Sequence, residues 1–216
     1  MKKIIIFILL VSFYQFSFAQ INIELIKKNV TENPEENFYK LLDTFKVNPS
    51  ELTQEQLNQL YYGSKFVKID YTIGDYNSES GTFWKSSQGK LSKNKAGKIV
   101  KEAELKYAKN PLNTDLLDSM INIYNALNEN KRADLCSKQK DLITQTVEKS
   151  GDGKSERTAI CVLTGGEVLQ QLIKLTKSGP RGELNQKMKL LSDGSILTIY
   201  KIGDREVFVK LVGGPF

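Results

Sequence analysis

The sequence predicts an α+β fold: a mostly helical, repeat-like array followed by a small antiparallel, β-rich C-terminal part. Three observations carry that expectation. Apolar residues recur at helical spacing through three consecutive segments from Lys98 onward, and short alternating runs replace them beyond Ser155. Between the two lies the turn Ser150-Gly151-Asp152-Gly153-Lys154-Ser155. The implied boundaries are a signal peptide over 1–19, a helical domain over 20–150 and a small α+β subdomain over 151–216.

The N-terminus sets the compartment. Lys2 and Lys3 precede the apolar run Ile4 to Val11, and Ser17-Phe18-Ala19 puts small residues where a signal peptidase reads them. Cleavage after Ala19 leaves Gln20 as the mature N-terminus, with no stable membrane span, because the apolar run is short for a bilayer and Gln15 interrupts it. The expected location is therefore outside the cytoplasm, periplasmic or secreted. Cys136 and Cys161 are the two cysteines, both on apolar stripes, where a disulfide and a pair of small buried thiols are alternatives.

The next segments follow in order. Ile21 to Val30 reads as a short helix or a lead-in strand. Asn33 is a cap, Pro34 takes the first helical position, and Phe38, Leu41, Leu42 and Phe45 form a stripe. Thr53 and Gln56 form a capping box flanked by Leu52 and Leu57 in the spacing of a hydrophobic staple, and Leu57, Leu60 and Tyr61 continue the buried face. From about Lys68 to Ala96 regular patterning stops, although Tyr71, Tyr76, Phe83 and Trp84 fall within it. Aromatics in a long irregular stretch read either as a lid on the core or as the border of a groove.

The central helices come next. Ile99, Val100, Ala103 and Tyr107 share a face until Pro111 stops the helix. Asn113 caps the second helix, whose stripe is Leu117, Met120, Ile121, Tyr124 and Leu127. The third carries Ala133, Cys136, Ile143 and Val147 inward and ends at Ser150-Gly151, where Gly151 is expected to be a left-handed C-cap. Pro111, Leu117, Met120, Tyr124 and Ala133 resemble one tetratricopeptide unit. A shift of about 34 residues takes Ala133 to Ile99 and Pro111 to Gln145, so no second copy appears.

Beyond Ser155, Thr158 to Leu163 reads as a strand and Glu167 to Leu175 as a helix with Val168, Leu172 and Leu175 on one side. Gly179-Pro180 marks a loop. Strands are expected over about 187–191, 196–202 and 206–212, with Asp193-Gly194 and Gly203-Asp204 as the hairpin turns.

Function is bounded mainly by exclusion. The chain has no histidine, which removes Ser-His-Asp and Cys-His catalysis, histidine-ligated zinc and histidine acid–base chemistry. Gly153-Lys154-Ser155 looks like the end of a phosphate-binding loop, but Glu148 stands where the first glycine belongs and a helix precedes it where a strand is required. Asp152-Gly153 lacks the alternating oxygen ligands of a calcium loop. The expected role of Gly151, Asp152, Gly153 and Ser155 is thus a structural turn. No catalytic residue, cofactor or metal is assigned. Subtracting the two leader lysines leaves 29 basic residues against 25 acidic ones, a net +4, too mild an excess to suggest nucleic acid in an exported protein. The one basic concentration, Lys85, Lys90, Lys93, Lys95, Lys98 and Lys101, reads as a solvated loop and helix entrance, with a patch for an anionic glycan or lipid head group as the alternative.

Leu60-Tyr61-Tyr62-Gly63, the helices around Pro111, and Ser150-Gly151-Asp152-Gly153-Lys154-Ser155 followed by Thr158-Ala159 resemble a small secreted family of Gram-negative bacteria known only as a domain of unknown function. The resemblance covers nearly all of the mature chain. It implies export, a tetratricopeptide-like body and a small strand-rich end, and no activity. The functional expectation is a non-enzymatic binding or assembly module for a protein or envelope component, with Tyr61, Tyr62, Tyr71 and Trp84 as its contact residues. The alternative is a carboxylate-dependent hydrolase of envelope carbohydrate or peptide.

Overall fold

A computed structural model of the chain describes residues 21–67, 85, 87–177 and 185–213. The expected signal peptide, Tyr71, Trp84 and Gly179-Pro180 lie outside the described residues. Within them the chain forms seven α-helices and a four-stranded mixed sheet, an α+β fold.

The ambiguous first segment is a helix, α1 (Ile23–Glu32). Asn22 caps it by accepting from the Leu25 amide at 3.0 Å, and Ile23, Ile26 and Val30 face inward. The next helix opens with a π turn, Glu35–Tyr39, and continues as α2 (Lys40–Val47), burying Phe38, Leu42 and Phe45. Helix α3 (Gln54–Gly63) starts on the expected capping box: Thr53 Oγ1 accepts from the Gln56 amide at 3.2 Å, and Gln56 Oε1 accepts from the Thr53 amide at 2.9 Å.

Helix α4 (Lys93–Lys109) begins earlier than its apolar stripe suggested. Ser92 caps it through the Lys95 amide, and Ala96 is already a buried helical residue, so the basic run there is one solvated side of a helix. Asn110 ends α4 just before Pro111. Helix α5 (Thr114–Leu127), capped by Asn113 at 2.8 Å, packs between α4 and α6 (Asn130–Glu148). Gln139 is buried on the inner stripe of α6. Its Nε2 donates to the Phe45 carbonyl at 2.8 Å and its Oε1 accepts from the Tyr107 hydroxyl at 3.1 Å, tying α2, α4 and α6 together.

The sheet order is β1 (Ile160–Val162), β4 (Arg205–Leu211), β3 (Ile196–Ile202), β2 (Asn185–Leu190). The hairpin turns fall where Asp193-Gly194 and Gly203-Asp204 were expected. The sheet is mixed and not purely antiparallel, because β1 pairs parallel with β4, Ile160 opposite Val209 and Val162 opposite Leu211. A parallel pairing needs a long crossover, and here the connection from β1 to β4 includes helix α7 (Gly165–Thr176) and the strands β2 and β3. Strand β1 is also shorter than expected, since Glu156–Thr158 form a 3-10 turn.

One hydrophobic core runs from Ile23 through the central helices to Val209 and Val212. The change from helix to strand at the 150/151 boundary does not interrupt it. Among the described residues no helix is long and apolar enough to cross a membrane.

Candidate functional site

The two short motifs meet at β1. Tyr61 and Tyr62, at the end of α3, stack edge to face with centroids 5.0 Å apart. Tyr62 is wholly buried and its hydroxyl donates to the Cys161 carbonyl at 3.0 Å. Tyr61, 3% exposed, donates its hydroxyl to Glu167 Oε1. The other oxygen of Glu167 accepts from the amides of Leu163 at 2.8 Å and Thr164 at 3.1 Å, while Thr164 Oγ1 accepts from the Glu167 amide. Glu167 thus caps α7 and anchors α3 with one carboxylate. Packing around it pushes its pKa up, against the pull of Tyr61 and the two amides. Both tyrosines therefore serve the junction of the helical body with the sheet, and neither presents an open ring surface.

The turn 150–155 forms the other side of the junction. Ser150 Oγ donates to the Val147 carbonyl at 2.6 Å and accepts from the Cys161 amide at 2.8 Å. Gly151 does not adopt the left-handed conformation expected of it; Gly153 does, at φ +69°. What Gly151 requires is room: a Cβ there would lie 2.4 Å from the Thr158 carbonyl oxygen and 2.5 Å from that of Ala159. The chain folds back on itself too closely for any side chain. Gly153 bonds to Thr158 through its amide (2.7 Å) and accepts the Phe208 amide (2.9 Å), which seats the turn against β4. Asp152 accepts from the Lys154 amide at 3.1 Å and pairs with its ammonium at 3.0 Å. The Thr158 hydroxyl first, then Lys154, hold the Asp152 carboxyl down at about 2. Ser155 Oγ caps the 3-10 turn through the Thr158 amide.

Cys136 and Cys161 are free and buried, and burial pushes both thiols up to about 11. Asp115, at the start of α5, lies near enough to raise Glu167, and its own pKa is raised, first by burial and then by Asp118. Asp118 is paired with Lys140 at 2.6 Å. Among the described residues no three His, Cys, Asp or Glu side chains gather as a metal site would require.

Open space lies elsewhere. Helix α7 covers only part of the sheet face, leaving a groove of about 410 Å³ lined by Leu169, Leu172, Met188, Thr198, Tyr200 and Leu211. Two of its lining side chains are exposed, Leu169 at 46% and Met188 at 67%, and so are Ile173 (43%) on the same helix and Leu190 (74%) on the same strand. A second recess of about 610 Å³, between α1 and the β2–β3 turn, has mixed charge from Glu24, Lys27, Lys28, Glu32 and Asp193. Beside it, the buried Lys210 pairs with Asp193 at 2.6 Å. Sequence reasoning missed the apolar groove, yet a signal was present. Val168, Leu169, Leu172, Ile173 and Leu175 spread over a wider arc than one buried face needs, and Met188 and Leu190 alternate with Lys187 and Lys189 in an edge strand.

Comparison with known proteins places these features in a family. No curated protein and no solved structure matches the chain. The model of a family described as "Domain of unknown function (DUF4919)" matches residues 24–185, about three quarters of the chain, and takes in both junction motifs and α7. The chain therefore belongs to the DUF4919 family.

Proposed function

We propose that this protein is exported and acts as a non-enzymatic binding or assembly module, holding a protein or another component of the cell envelope. The observation that carries the reading is the groove between α7 and the sheet. Its lining is mainly apolar, and two of the lining side chains, Leu169 and Met188, stand exposed to water, with Ile173 and Leu190 exposed on the same helix and strand; apolar patches of this kind serve partners more often than they serve the fold. The leader over residues 1–19 supports export, and mature protein from the native host should begin at Gln20 by mass analysis; a chain starting at Met1 would refute it. A hydrolase would need two acids facing a shared cavity. Glu167, the acid that feels Asp115, already accepts from Tyr61, Leu163 and Thr164.

The test is retention of envelope components by the mature protein, comparing wild type with Leu169→Glu/Met188→Glu. Both positions are exposed, so the variant should fold normally. The reading predicts a discrete species retained by wild type and lost from the variant. Identical recovery from both would remove the groove from the function.

A further inference from the structure

We propose that β2 is the docking edge of this module, and that its partner is an extended polypeptide strand, alternating apolar and acidic residues, added beside β2. This rests on the binding reading above and specifies its mode. Strand β2 is exposed along its whole length, and among the described residues no strand lies beyond it.

The register shows which backbone groups are open. The Leu191 amide donates to the Ser195 carbonyl at 2.9 Å, next to the pair Leu190–Ile196. Bonded and unbonded pairs alternate along an antiparallel ladder, so Asn185, Lys187 and Lys189 bond to β3. The N–H and C=O groups of Gln186, Met188 and Leu190 point outward, toward the position a new strand would take.

The side chains divide in the same way. Gln186 and Met188 line the groove beside α7, so strand alternation puts Leu190 on that face and Lys187 and Lys189 on the opposite one. Among the described residues Lys187 has no ion pair, and Lys189 has only an exposed contact to Glu156 at 3.4 Å. A strand laid along β2 would continue the groove with one set of side chains and face the two lysines with the other. Apolar residues suit the first set and carboxylates the second. A second copy of this chain suits the edge poorly, because antiparallel self-pairing that continues both faces sets lysine against lysine.

The experiment uses the mature chain and two labelled peptides, one alternating valine with glutamate and one alternating valine with lysine. Fluorescence anisotropy reads binding, and residue-resolved hydrogen exchange reads the contact. The valine–glutamate peptide should bind, slow exchange at the amides of Gln186, Met188 and Leu190, and bind roughly tenfold more tightly than the valine–lysine peptide. Lys187→Glu/Lys189→Glu should reverse that order. Met188→Pro removes an outward N–H, which an edge strand tolerates, together with a groove-lining side chain; it should abolish binding where Met188→Ala only weakens it, while thermal unfolding of both stays close to wild type.

Failure of the valine–glutamate peptide to bind, equal binding of the two peptides, or exchange unchanged at those three amides would overturn the proposal and leave the lysines as guards against edge pairing. If the peptides fail while wild type still retains its envelope species in a groove-dependent way, strand addition is wrong and the holding role stands. If neither is seen, both fall.

Discussion

Gly151 shows how tightly the junction is built. The carbonyl oxygens of Thr158 and Ala159 occupy the space a methyl would need, and both belong to backbone that cannot swing aside. Gly151→Ala should therefore lower stability by about 2–3 kcal/mol. Gly97, inside α4 with nothing near its Cβ position, should gain about 0.5–1 kcal/mol from the same change. Denaturant midpoints of the two variants would settle the contrast. Asp152 supplies a pH dependence at the same turn. Its folded pKa, about 2, lies below the ordinary 3.8, so its contribution is complete above about pH 4 and fades as pH falls through about 2. The stability gap between wild type and Asp152→Asn should close over that window, and a gap constant with pH would contradict the assignment. The sequence showed that a turn must sit here, but not which glycine takes the left-handed conformation. Gly151 has a steric role because of Thr158 and Ala159, and that closeness belongs to the folded chain alone.

At the scale of elements, the end of α3 is held to the start of α7 by the hydrogen bond from Tyr61 to Glu167, two residues 106 positions apart. Removing a hydroxyl bonded to a carboxylate costs about 1.5–3 kcal/mol. Tyr61→Phe should fall in that range, and a double-mutant cycle with Glu167→Gln should reveal coupling between them; additive effects would mean that the two elements are docked by packing alone. The local signals of the elements were legible. Thr53 with Gln56, Asn113 and Pro111 act within a few residues of themselves, and each works as its chemistry implies. Long-range pairings were not: nothing near Ile160 announces that β1 will lie parallel to β4. Gln139 is intermediate, a polar residue at an inward position of α6 whose partners, Phe45 and Tyr107, come from two other helices.

For the whole molecule, the helical body and the sheet share one core, and the two motifs that carried the family resemblance are spent on joining them. Among the described residues, the surface proposed for a partner lies where α7 does not reach across the sheet and β2 ends it. The most direct measurement is photo-cross-linking in the native host, with a photoreactive side chain placed at Leu169 or Met188 in the groove, or at Lys138 on the exposed side of α6. A binding module working through this groove yields the same discrete adduct from 169 and 188 and none from 138. Absence of any adduct from the groove positions, or the same products from all three, would contradict it.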